Sequence, residues 1–162
     1  MRVQPTAILV LLALVSCTAP RDSTSHEVAG YLRQLAEWAP QEAEAARAVR
    51  RILATQFVDE AEVRRQIAES RPRVEAQVAA LSAYRARSRE LSEVHRNYLE
   101  GWRRLARGYD EIEQGLDRTD QRALARGRAA LVAWRDTVMS TARRLREMEG
   151  QPEPETGRGS SI

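Results

Sequence analysis

Residues 98–134 read YLEGWRRLARGYDEIEQGLDRTDQRALARGRAALVAW, and their spacing decides the fold. Tyr98, Trp102, Leu105, Tyr109, Ile112 and Leu116 follow one another in alternating steps of 4 and 3. That is the apolar seam of a helix packed along its length on another helix. Asp117-Arg118-Thr119-Asp120 then offers a polar turn with N-cap residues. Beyond it Leu124, Gly127, Leu131 and Trp134 resume the same rhythm. Folding the chain back at 118–119 sets Ile112 against Leu124, Tyr109 against Gly127, Leu105 against Leu131 and Trp102 against Trp134. A large ring opposite a glycine is the large-small alternation a packed core wants. The stretch therefore predicts an antiparallel, coiled-coil-like hairpin.

Gly101, Gly108 and Gly115 stand beside this seam at seven-residue spacing. Each costs a helix about 1 kcal/mol relative to alanine. Close approach of a neighbouring helix explains such a stripe; a groove for a partner helix or a lipid chain is the alternative.

Upstream, the seam extends through Val74, Val78, Leu81, Tyr84, Ser88, Leu91 and His95. It predicts one helix from Ser70-Arg71-Pro72 to Leu116, a rod of roughly 65 Å at 1.5 Å per residue. His95 falls near Thr141 and Ala142, with Thr141 as its expected hydrogen-bond partner. Thr24 and Glu27 have capping-box spacing, opening a short helix 25–38 with Val28, Tyr31, Leu32, Leu35 and Trp38 inward. Pro40 suits the first turn of a second helix, 41–57, with Val49, Ile52, Leu53 and Phe57 inward. Asp59 and Glu62 repeat the capping spacing. That leaves open whether the second helix runs on or breaks there before a shorter piece, 60–69. A last helix carries Trp134, Val138, Thr141, Leu145 and Met148 and runs to Glu149. Gly150-Gln151-Pro152-Glu153-Pro154 ends it, and the tail 150–162 reads as disordered. Strand-like alternation is absent throughout. The expected fold is all-α, an antiparallel helical bundle over residues 24–149 with three long helices and a short N-terminal one.

The first seventeen residues read differently. Arg2 precedes an unbroken apolar run, Ala7 to Val15, too short for a bilayer span of about 20 residues but suited to a signal peptide. It ends in Leu14-Val15-Ser16-Cys17, and Cys17 is the only cysteine in the chain. The tetrapeptide resembles the lipobox of bacterial lipoproteins. The resemblance implies cleavage after Ser16 and acylation of Cys17, with residues 17–23 as a lipidated tether. Thr18 in place of an aspartate resembles the sorting pattern that sends such lipoproteins to the outer membrane, facing the periplasm.

Composition narrows the chemistry. All 26 basic residues are arginine, against 23 acids and two histidines. One cysteine and two histidines make a zinc module or disulfide scaffold untenable. No nucleophile elbow, phosphate loop or Glu-x-x-His pair occurs, so neither an enzyme nor a bound cofactor or metal is expected. The net charge of +3 hides blocks. Residues 64–107 and 121–146 are each net +6, while 21–63 is net −3 and 108–120 net −4. Self-complementary surfaces are the simplest use of such blocks. The runs Arg85-Ala86-Arg87-Ser88-Arg89 and Arg143-Arg144-Leu145-Arg146 could also meet anionic lipid or lipopolysaccharide. The export that the lipobox resemblance implies makes nucleic acid a poor candidate, and none is expected as a partner. Tyr98, Trp102, Tyr109 and Trp134 cluster in the hairpin, as core by their spacing or, alternatively, as a ligand pocket. The expected function is that of a non-catalytic, membrane-anchored envelope adaptor, assembly factor or structural protein that binds another envelope protein. A ligand-binding or sensory bundle is the alternative.

Overall fold

The structure, a computed structural model, describes residues 21–149 of the chain. It consists of α1 (Arg21–Ala54), α2 (Glu60–Ala83), α3 (Arg89–Arg118) and α4 (Gln121–Glu149). No strand occurs among the described residues. Each helix packs on the next in sequence, and α4 closes back on α1. Short connections make successive helices antiparallel. The start of α1, the α2–α3 loop and the end of α4 therefore share one end of an all-α bundle.

The helix boundaries differ from expectation in three places. The short N-terminal helix does not stop at Trp38. It fuses with the second helix into a 34-residue α1 that carries Pro40 inside it. Proline forfeits one backbone hydrogen bond and strains the preceding turn, at roughly 3 kcal/mol. Apolar side chains on both sides of it hold the helix together: Val28 and Tyr31 before, Ala45, Val49 and Ile52 after, all buried. Residues 21–23, expected in the tether, belong to α1.

The capping signal at Asp59 is real. The Glu62 N–H donates to Asp59 Oδ1 at 3.0 Å, and α1 and α2 separate there. The reciprocal half of the box does not form, because the Glu62 carboxylate takes Gln66 and Arg65 instead. Gln56 and Phe57, in the turn, both have positive φ. The next helix does not start at Ser70: α2 runs from Glu60 through Pro72 to Ala83. Ser70 is buried, and its hydroxyl donates to the Tyr109 hydroxyl at 2.9 Å, tying α2 to α3.

The long rod is broken in the middle. The chain leaves α2 at Tyr84, in extended conformation, and re-enters a helix after Ser88, whose Oγ accepts the Leu91 N–H. The seam runs through the break without losing its phase, so both arms keep an apolar face for the same core.

The α3–α4 hairpin matches expectation more closely. Thr119 takes a left-handed conformation, the Asp120 N–H reaches back to the Gly115 carbonyl at 2.8 Å, and Asp120 Oδ1 caps α4 through the Arg122 N–H. Trp102 meets Trp134 edge-on, with ring centroids 5.3 Å apart. The glycines explain the closeness. A methyl group at Gly101 would strike Thr137, at Gly108 Ala130 and Leu131, and at Gly115 Leu124. The stripe thus belongs to α4 of the same chain. At Gly127 the atoms nearest an added methyl belong to Ile112 and to the Gly108 backbone, on either side of Tyr109 in sequence. Tyr109 turns toward Ser70 of α2.

Charge blocks pair across helices. Arg71 of α2 reaches Asp110 at 2.7 Å and Glu113 at 2.6 Å on α3. Arg64 reaches Asp117, Arg126 reaches Glu111, and Arg73 reaches Glu44 of α1. The acidic stretch 108–120 is thereby flanked by basic side chains of α2 and α4. Exposed pairs of this kind contribute at most about 1 kcal/mol each, so they select the arrangement more than they hold it.

Candidate functional site

Cys17, the expected lipidation site, lies outside the described residues, as do the apolar run before it and the tail 150–162. The first described residue, Arg21, follows Cys17 by four positions and already belongs to a helix. Any attachment at Cys17 would therefore hold this end of the bundle close to its membrane, since four extended residues span at most about 14 Å. No described helix is long and apolar enough to cross a membrane.

The four aromatic residues of the hairpin are core. Trp102, Trp134, Tyr98 and Tyr109 are each at most 2% exposed. Tyr98 stacks edge-on against Trp102 and donates its hydroxyl to Glu42 of α1. Burial and the neighbouring Glu42 carboxylate both push the Tyr98 hydroxyl far above its usual range. Four clefts on the surface of the bundle are lined by other residues.

A second aromatic group, not foreseen, lies nearer the α1 start. Tyr31 and Trp38 of α1, Tyr84 of the α2–α3 loop and His95 of α3 pack together, with Tyr31 and Tyr84 rings 4.9 Å apart. His95 does not bond Thr141. Its Nε2 lies 2.9 Å from the Leu81 carbonyl oxygen and its Nδ1 2.9 Å from the Tyr31 hydroxyl. A carbonyl can only accept, so Nε2 carries the proton and Nδ1 accepts from Tyr31. The imidazole thus joins α1, the end of α2 and α3. Burial holds its pKa below the ordinary value, against the pull of the Leu81 carbonyl. Tyr31 and Tyr84 were visible as a helix-one ring and a seam ring, but their meeting required the unforeseen break at 84–88.

That break also builds a cleft of about 690 Å³ between the first turns of α1 and the α2–α3 loop. Its lining includes His26, Gly30 and Arg33 of α1 and Tyr84, Arg85 and Arg87 of the loop. Glu27 lies beside them. Its carboxylate accepts the backbone N–H groups of Arg87 and of Ser88, the latter at 2.9 Å. Burial alone would raise the Glu27 pKa, but these N–H donors outweigh it and hold the carboxyl below the usual range. Glu27 was expected to cap its own helix; it fastens the loop before α3 instead.

The other Arg-rich run, 143–146, is at the same end, on α4. There Arg144 is paired with Glu147 at 2.9 Å, and the nearby 390 Å³ cleft carries Glu90, Glu93 and Glu147 beside Arg143 and Arg144. No group of three or more His, Cys, Asp or Glu side chains that could hold a metal occurs among the described residues. Fold and site together define an antiparallel four-helix bundle with a basic cleft at the end where α1 begins. Comparison with protein-family models, with curated proteins and with solved structures finds no match to this chain.

Proposed function

We propose that the chain is a lipid-anchored envelope protein, held at the outer membrane through Cys17 and facing the periplasm. It acts there without catalysis, as an adaptor, assembly factor or structural element that binds another envelope protein through a helical surface. The observation that carries this reading is the use made of buried polar groups. His95 joins three elements, Ser70 joins Tyr109, and Tyr98 joins Glu42. These groups, which could do chemistry or line a ligand site, are spent on holding helices together. Inside, the Gln77 amide and the Trp102 and Trp134 N–H groups have no hydrogen-bond partner among the described residues, and the charged side chains lie mainly on the outside of the bundle. The lipobox-like Leu14-Val15-Ser16-Cys17 and the immediate start of α1 support the anchored position.

Replacing Cys17 by alanine tests the anchor. In cell fractionation the wild-type protein should sediment with membranes and the Cys17→Ala protein should appear in the soluble envelope fraction. A variant that stays with the membrane sinks the anchor. Crosslinking in intact cells tests the adaptor role, which predicts one recurrent envelope partner that is lost with Cys17→Ala. Recovery of the same set of proteins with both forms counts against it.

A further inference from the structure

The five glycines of the described helices divide sharply. Gly101, Gly108, Gly115 and Gly127 each sit where an added methyl group would strike a neighbouring helix. Gly30 does not: nothing lies within 4 Å of the methyl position. It weakens α1 by about 1 kcal/mol relative to alanine with no packing reason, and the space it leaves is part of the 690 Å³ cleft. That volume is within the range of small-ligand sites, about 300–1,000 Å³.

The lining gives the chemistry. Arg33, Arg85 and Arg87 contribute three guanidinium groups, and Arg33 makes no ion pair with another described residue. The one carboxylate in the lining, Glu27, is held ionised by two backbone N–H groups, so three arginines against one carboxylate leave the lining net positive. Guanidinium groups bind phosphate oxygens in pairs. The cleft opens at the end of the bundle where α1 begins, which under the anchored reading is the end nearest the membrane. We propose that this cleft binds the phosphate of an anionic lipid headgroup at the membrane surface. Gly30 supplies the room, and Arg33 of α1 and Arg87 of the loop, both in its lining, supply the charge. The choice of a lipid as the source rests on the proposed anchor; the phosphate chemistry does not.

The test uses the chain from residue 17 onward with Cys17→Ser, which carries no acyl chain. Among the described residues every buried side chain lies between Val28 and Leu145, so that core is kept. Sedimentation with phosphatidylcholine vesicles, with and without phosphatidylglycerol, should show binding only to the anionic ones. Arg33→Gln combined with Arg87→Gln should weaken it by roughly tenfold or more, at about 1 kcal/mol per arginine near a charged surface. Arg51→Gln with Arg122→Gln removes the same charge at the far end and should change it far less. Gly30→Gln puts an uncharged side chain into the cleft from a position whose Cβ meets no neighbour, and should weaken binding while the melting temperature holds. Equal losses for the two arginine pairs, or full binding by Gly30→Gln, would overturn the cleft as the site. Glycerol phosphate that binds as tightly as vesicle phosphate would overturn the lipid source in favour of a free phosphate ester. Because no acyl chain is present, failure here leaves the Cys17 anchor standing, and failure of the anchor in cells leaves this measurement intact.

Discussion

A methyl group added at Gly127 would lie 2.5 Å from Ile112 Cγ1 and 2.9 Å from the Gly108 carbonyl oxygen. The carbonyl belongs to a helix backbone and cannot step aside, so Gly127→Ala must push α3 and α4 apart. Overpacking of this kind costs about 1–3 kcal/mol, more than the roughly 1 kcal/mol alanine gains from helix propensity. Gly30→Ala meets open space and should instead stabilise α1 by up to about 1 kcal/mol. Urea or thermal unfolding of the two variants checks the opposite signs. A stabilised Gly127→Ala would mean that the helices are not held at this distance. The heptad spacing of Gly101, Gly108 and Gly115 made the close approach legible from sequence alone. Gly127 meets Gly108 and Ile112, on either side of the expected Tyr109 in sequence, because periodicity sets which face meets which but not which residue of that face comes nearest.

At the scale of the element, α3 begins with a capping box divided between two helices. Ser88 Oγ accepts from Leu91 N, as an N-cap should. The residue at that third position is a leucine and cannot reach back to the Ser88 N–H. Glu27, sixty-one positions upstream, supplies the missing carboxylate. This is why the break at 84–88 was invisible in the local sequence. Neither glycine nor proline marks it, the apolar steps continue through it, and half of the cap comes from α1. The divided cap also sets a pH dependence. Donated N–H groups lower the Glu27 pKa in the folded protein from its ordinary 4.5, so the unfolded chain binds the proton more readily. The stabilisation from this group is complete above pH 4.5 and is lost as pH falls through the lowered folded value. Glu27→Gln should therefore melt earlier than wild type at pH 6–7, by an interval that shrinks as the pH is taken below 4.5. An interval that does not narrow in acid would remove the carboxylate from this role.

For the whole molecule, the hairpin was legible and the other half was not. The all-α bundle, the turn at 119–120 and the Trp102–Trp134 contact follow from residues 98–134 almost alone. The pairing of α1 with α2 depended on Pro40 and Pro72 being absorbed into helices, and a proline reads as a boundary until tertiary packing overrides it. The cleft was illegible for the same reason, since it exists only where the α2–α3 break meets α1. Its arginines were noticed as a run, Arg85 to Arg89, but their neighbours on α1 were not. Two arginines at 85 and 87 and one at 33 become a single basic surface only in the folded bundle.

The two-residue turn and the bare backbone contact at Gly108 and Gly127 also bear on the order in which the bundle assembles. Closing a short loop costs little chain entropy, and contacts near in sequence form early. The α3–α4 hairpin should therefore form first and open last. Native-state hydrogen exchange should find the slowest amides around Gly108–Ile112 and Gly127–Leu131, and the fastest helical ones in α1 before Pro40. The opposite ranking would give α1 the nucleus. With α1 docking last, its first turns are the part of the bundle most easily undone, and they form one wall of the basic cleft. The cleft would then be made and unmade with the docking of a single helix, while the rest of the bundle stays folded.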